Sequence, residues 1–179
     1  MPDVPPETRS QTGPIASGDR AVAVGGDNHG TINTGVIVNI HGDDIEKNRE
    51  IARAILAATL LAPPLESNRR KAIARYYRAI AKTLTEVAEA LRQGEVPHGK
   101  CGEMLGYSQQ LPAELGDVIG QQQAAALSQK LMESYNVESF GHQFMNLRKA
   151  ERDTKFSVLD EAAGYFRAAA RSLQVRRLG

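Results

Sequence analysis

The sequence predicts a mainly α-helical fold, a multi-helix bundle carrying a short N-terminal β-segment rich in Gly, Asn and Val. Three observations predict it. Apolar residues recur every three or four positions through most of the chain after Asp43, the spacing that lines one face of a helix. Between residues 65 and 93 that spacing runs almost unbroken. Residues 19–42 instead alternate and break at glycines, a period of two that belongs to strands. Three regions follow: a leader at 1–18, a β-forming assembly motif at 19–42, and a helical domain at 43–179.

The leader holds four prolines, several Ser and Thr, and almost no large apolar side chains. That composition cannot offset the entropy of ordering, so a flexible segment is expected. In the next region Val22 and Val24 fall on one face of a strand, with Ala21 and Ala23 on the other. Gly25-Gly26-Asp27-Asn28 has turn chemistry, the glycines taking positive φ and the Asx side chains bonding their own backbone. Thr31-Ile32-Asn33 reads as a second strand, Thr34-Gly35 as a turn, and Val36 to Ile40 as a third strand with Val36, Val38 and Ile40 on one face. Three such short strands are marginal alone and leave open edges. Asn28, Asn33 and Asn39 are available to ladder between identical copies. The expected assembly interface is therefore Val22, Val24, Gly25, Gly26, Asn28, Ile32, Asn33, Gly35, Val36, Val38 and Ile40. A closed trimeric prism and a stacked fibre both meet these demands. The plain alternative is a lone hairpin packed on its own helices.

Val22-Ala23-Val24-Gly25-Gly26-Asp27-Asn28 resembles the RHIM-type amyloid core, Val/Ile-Gln-Val/Ile-Gly-x-x-Asn. The longer run from Arg20 to Gly35 is similar to the amyloid-signalling motifs of bacterial conflict systems. The resemblance covers about a tenth of the chain, and Ala23 departs from it where the pattern has Gln. Gly/Asn/Val patterns of this kind also occur in β-solenoids and small β-prisms. What the resemblance implies is a signalling or adaptor protein of a bacterial defence system. It would assemble with itself, or on an NLR-like receptor or effector bearing a matching motif.

Asp43-Asp44 opens the first helix with carboxylates at the positive end of its dipole, and Pro63-Pro64 stops it. Its expected inward residues are Ile51, Ala52, Ile55, Leu56, Thr59 and Leu60. The second helix, about 65–93, carries Ile73, Tyr77, Ile80, Leu84, Val87 and Leu91 at spacings of four, three, four, three and four. That is a seam for lengthwise packing, with Gly94 as its cap. A seam of this length predicts apolar surface left over for a second copy. Next come a short helix from Pro97 through Gly106, and a helical turn or two between Leu111 and Gly120. A helix from Gln121 to Tyr135 follows, with Ala125, Leu127, Leu131 and Met132 inward. Val137, Phe140, Phe144 and Leu147 continue an apolar stripe. The last helix, about 155–173, puts Phe156, Leu159, Ala163, Phe166 and Ala170 on one face.

Charge is nearly balanced at net +1, with 22 basic and 21 acidic residues, so nothing global advertises nucleic acid or an acidic membrane. Nucleic acid is not an expected partner, and a membrane partner has no support. A single cysteine, Cys101, fits a reducing cytoplasm, and neither a signal peptide nor a spanning segment is visible. A soluble cytoplasmic protein is expected. Locally the balance breaks. Residues 65–93 carry seven cations, Arg69, Arg70, Lys71, Arg75, Arg78, Lys82 and Arg92, against Glu66, Glu86 and Glu89. With few aromatics interleaved, the expectation is a solvated face opposite acidic partners.

Catalytic signals are sparse. The four histidines form no HxxxH or HExxH pair, and His98 with Cys101 makes only half a zinc site. No metal or cofactor is expected. Gly25 to Gly30 lacks the Lys-Ser/Thr of a phosphate loop. One enzymatic alternative remains, a helical effector with its own activity. Arg92-Gln93-Gly94-Glu95-Val96-Pro97-His98 resembles the Arg-x(4–6)-His signature of HEPN nucleases, which implies His98 and Arg92 in proton transfer and phosphate stabilisation. The Gln at the second position and the helix breakers Gly94 and Pro97 depart from that pattern. A membrane-perturbing bundle is the other version of this alternative.

Overall fold

A computed structural model describes residues 44–135 and 147–175. The leader, the assembly motif at 19–42, and Val137, Phe140 and Phe144 lie outside the described residues. Among the described residues there are five helices: α1 (Asp44–Leu61), α2 (Ser67–Arg92), α3 (His98–Ile119), α4 (Gln121–Ser134) and α5 (Lys149–Val175). They share one hydrophobic core.

The order of packing is cyclic. α5 packs on both α1 and α2, α2 on α3, α3 on α4, and α4 on α1. Cross-links give the directions. Glu46 pairs with Lys155 at 3.1 Å and Arg49 with Glu161 at 3.8 Å, while the Arg53 guanidinium lies 5.6 Å over the Tyr165 ring. These pairs climb both helices together, so α1 and α5 run parallel. Against α2 the order reverses. Arg92 pairs with Asp160 and Arg167 donates to Thr85 Oγ1 at 2.7 Å, so α2 and α5 are antiparallel.

The seam of α2 is the centre of the core. Ile73, Tyr77, Ile80, Leu84, Val87 and Leu91 are all buried, each apolar one stabilising by roughly 1.5–3 kcal/mol relative to exposure. Phe166 of α5 sits 6.0 Å from the Tyr77 ring. The seam residues are thus covered within the chain, in part by its own α5. The Tyr77 hydroxyl lies 2.7 Å from Thr59 Oγ1, which itself donates to the Ile55 carbonyl at 2.7 Å. Thr59 has one proton to give, so Tyr77 is the donor between them. After Arg92 the chain closes α2 with a two-bond cap. Gly94 N–H donates to Leu91 O at 3.1 Å and Glu95 N–H to Ala90 O at 2.9 Å, with Gly94 at φ +77°. This paired arrangement serves the carbonyls of Ala90 and Leu91, which the helix end would otherwise leave orphaned.

Four expectations need correction. Leu60 is half exposed rather than inward, because Ala52, Ile55, Thr59 and Ala62 hold the buried stripe and Leu60 lies about 100° round the helix from Thr59. Ala125 faces outward for the same reason, the stripe of α4 being Ala124, Leu127, Ser128 and Leu131. The last helix starts at Lys149, since the Glu151 carboxylate reaches back to the Arg148 N–H at 3.0 Å and caps it.

The fourth concerns α3, which is one helix of 22 residues rather than two fragments. Pro112 lies inside it and has no N–H to offer the carbonyl of Ser108, four residues back. That carbonyl accepts instead from Ser128 Oγ of α4 at 2.6 Å. The neighbouring Tyr107 carbonyl accepts from the Tyr76 hydroxyl of α2 at 2.5 Å. Hydroxyls from two other helices thus meet the loosened turn. At its far end α3 reaches α4 through Gly120 alone, at φ +90° and ψ 138°, a conformation kept for glycine.

Candidate functional site

The cations of α2 divide into two kinds. Those near the ends of the run have acidic partners, as the sequence predicts. Arg69 grips Asp117 of α3 through two bonds, at 2.8 and 2.7 Å, and donates to the Glu114 carbonyl. This bidentate grip holds the Asp117 carboxyl below its ordinary range. Arg92 is held by Asp160 and Glu89 and lies 5.1 Å over the Phe156 ring.

Between them the expectation fails. Arg70, Lys71, Arg75 and Arg78 form no ion pair among the described residues, and across from them α5 presents Arg171, Leu173 and Gln174 rather than carboxylates. Two shallow surface clefts lie along this stretch, with Arg78 lining both, and together they form the groove between α2 and α5. One is lined by Ser67, Arg70, Lys71, Ala74, Arg75, Leu173 and Gln174. The other is lined by Lys82, Thr85, Glu86, Arg167 and Arg171. Glu86 is the only acid in either lining, and it is occupied by Lys100 at 2.8 Å and Lys82 at 4.0 Å.

Helical spacing builds this stripe. Lys71, Arg75, Arg78 and Lys82 recur at four, three and four on the face opposite the seam, with Arg167 and Arg171 four apart on α5. Side chains three or four apart on a helix leave it about 5–6 Å from one another at Cβ, and like charges at i, i+4 destabilise a helix by about 0.2–0.5 kcal/mol per pair. A row of such pairs without interleaved acids is a local cost of folding that a bound anion would relieve. The groove takes seven basic residues and one acid, so a chain of net +1 leaves 15 basic and 20 acidic residues elsewhere. The sequence count on α2 flagged the stripe. It missed Arg167 and Arg171, whose i, i+4 spacing on the outer face of the last helix was the available signal.

The nuclease pair is arranged differently. Arg92 is engaged with α5, His98 is exposed at the first turn of α3, and neither lines the groove. Cys101 is buried, and desolvation pushes its thiol up to about 11, which keeps it protonated near neutrality. It shares no exposed face with His98. Among the described residues no cluster of His, Cys, Asp and Glu could hold a metal ion, and no helix is long and apolar enough to cross a membrane. The eleven assembly residues from Val22 to Ile40 lie outside the described residues. No family model matches the chain, and no curated protein or solved structure matches it either.

Proposed function

We propose that this chain is a non-enzymatic signalling or adaptor protein of a bacterial defence system. Its helical bundle is the docking part, and residues 19–42 are the segment through which copies assemble or are recruited to a partner with a matching motif. The observation that carries the docking half is the row Arg70, Lys71, Arg75 and Arg78, which forms no ion pair among the described residues and which α5 extends with Arg167 and Arg171 beside Arg78. Such a surface favours an anionic partner. The assembly half rests on the open edges, turn glycines and Asn positions of residues 19–42, together with their resemblance to amyloid-signalling motifs.

Mass photometry of the full chain beside a chain lacking residues 1–42 tests the assembly half. The full chain is expected to form particles many copies large, and the shortened chain to lose them while keeping a cooperative melt. Val24→Asp should act like the deletion, by placing one charge per copy in the shared interior. Particles of equal size in all three proteins would overturn the reading.

A further inference from the structure

We propose that the α2/α5 groove binds the phosphate backbone of a nucleic acid, by charge and without reading bases; this rests on the docking reading and names its partner class. Three features select that occupant. First, the cationic row is linear. From Arg70 to Lys82 the row spans about 18 Å at the helical rise, a length that tracks successive phosphates of a strand. Second, five of the seven cations are arginines, Arg70, Arg75, Arg78, Arg167 and Arg171, whose planar fork matches phosphate oxygens better than an ammonium does. Third, the lining offers no apolar anchor. Its apolar side chains are Ala74 and Leu173, both 2% exposed and therefore spent on the core.

The third feature separates the occupants. A peptide docked in a groove needs sockets for side chains. A membrane surface needs an exposed apolar patch beside the charge, and the exposed large apolar residues among those described, Leu60, Leu61 and Val175, line neither cleft. A polyphosphate needs neither. The absence of aromatic side chains from the lining removes base stacking, so the expected binding is independent of sequence and sensitive to salt.

The test is fluorescence anisotropy of the full chain with a labelled oligothymidine and a labelled duplex, each of about 30 nucleotides per strand, across a salt series. Binding is expected at low salt, with log affinity falling linearly against log salt. Arg75→Glu with Arg78→Glu should weaken binding at least about tenfold and flatten the salt slope by roughly two phosphate contacts. The charge-matched pair Lys130→Glu with Lys149→Glu, outside the groove, should change it far less. Arg75→Lys with Arg78→Lys should retain most of the affinity, which separates lost charge from lost fold.

Absence of binding to either probe at low salt would overturn the inference. So would binding that ignores the Arg75 and Arg78 reversal. So would phosphatidylserine vesicles binding in a reversal-sensitive way while the oligonucleotides do not, which would make the groove a membrane face. Mass photometry of the same samples keeps the two readings apart. A chain that assembles but binds no oligonucleotide leaves the adaptor reading standing and removes this one. A chain that binds oligonucleotide without assembling does the reverse.

Discussion

The two faces of α2 have the same length, the same backbone and almost the same spacing, yet their interactions are opposite. On the inner face every large side chain has found its partner within the chain: Tyr77 packs on Phe166 and bonds Thr59, and no buried side-chain polar atom is left without a bond among the described residues. On the outer face Lys71, Arg75 and Arg78 have no partner carboxylate among the described residues, and α5 adds Arg167 and Arg171 beside Arg78. A protein's own folding accounts for the first face and gives no account of the second. Interactions that stability does not require are where an external ligand is to be sought.

The sharpest way to break this contrast is to place one charge on each face. Leu84→Asp puts an unpaired carboxylate at a 1% exposed core position, a change expected to cost more than about 4 kcal/mol and to abolish the cooperative melt. Arg75→Asp, nine positions earlier on the outer face, should shift stability by no more than about 0.5 kcal/mol, or raise it slightly by relieving repulsion. Circular-dichroism melts of the two variants decide the matter. A cooperative melt unchanged by Leu84→Asp would mean that the seam is not a core.

A second prediction tests whether the core satisfies its polar groups as fully as its apolar ones. Ser128→Ala strands the buried Ser108 carbonyl, at an expected cost of about 1–3 kcal/mol. In a Pro112→Ala background an N–H is restored four residues after Ser108, so the same substitution should cost distinctly less. Denaturant melts of this four-protein cycle measure the coupling. Equal costs in both backgrounds would mean that the Ser128 hydroxyl does not serve the carbonyl that Pro112 leaves free. Smaller again is Gly94→Ala. A methyl there meets nothing within 4 Å, so its cost is backbone strain at φ +77° alone, about 1 kcal/mol.

How much of this could be read from the sequence follows the range of the interactions involved. The seam of α2, the Gly94 cap and the proline stop after α1 rest on neighbours three or four residues apart, and the sequence states them directly. The continuity of α3 rests on hydroxyls from α2 and α4, Tyr76 lying 31 residues and Ser128 20 residues from the carbonyls they serve, so Pro112 and the glycines read locally as breaks. The groove is hidden for a similar reason. Counting charges on α2 cannot reveal whether the helix laid beside it brings carboxylates, as Asp160 does for Arg92, or more cations, as Arg167 and Arg171 do beside Arg78. Leu60 and Ala125 failed by one position, and Met132 of the same expected stripe is only partly buried, because neighbouring helix positions differ by 100°.

The smallest predicted effect sharpens the contrast among the cations of α2, between Arg69, which is paired, and Arg75, which forms no ion pair among the described residues. Arg69 holds the Asp117 carboxyl below its ordinary value by bonding its charged form. A carboxyl whose pKa is depressed by folding contributes stability that is complete above its unfolded pKa, about 4. That contribution is lost as pH falls through the lower folded value. Asp117 is half exposed, so solvent and side-chain entropy keep the pair within about 1 kcal/mol. Asp117→Asn should therefore melt slightly below the parent at neutral pH, with the two curves converging as pH drops below about 4. Arg75→Ala, which breaks no ion pair, should differ from the parent by an amount that does not follow any carboxylate titration. Melting temperatures of the three proteins between neutral and strongly acid pH make the comparison. If Arg75→Ala showed the same acid convergence as Asp117→Asn, a carboxylate would have to be serving Arg75, and the distinction between paired and unpaired cations on which the groove rests would not hold.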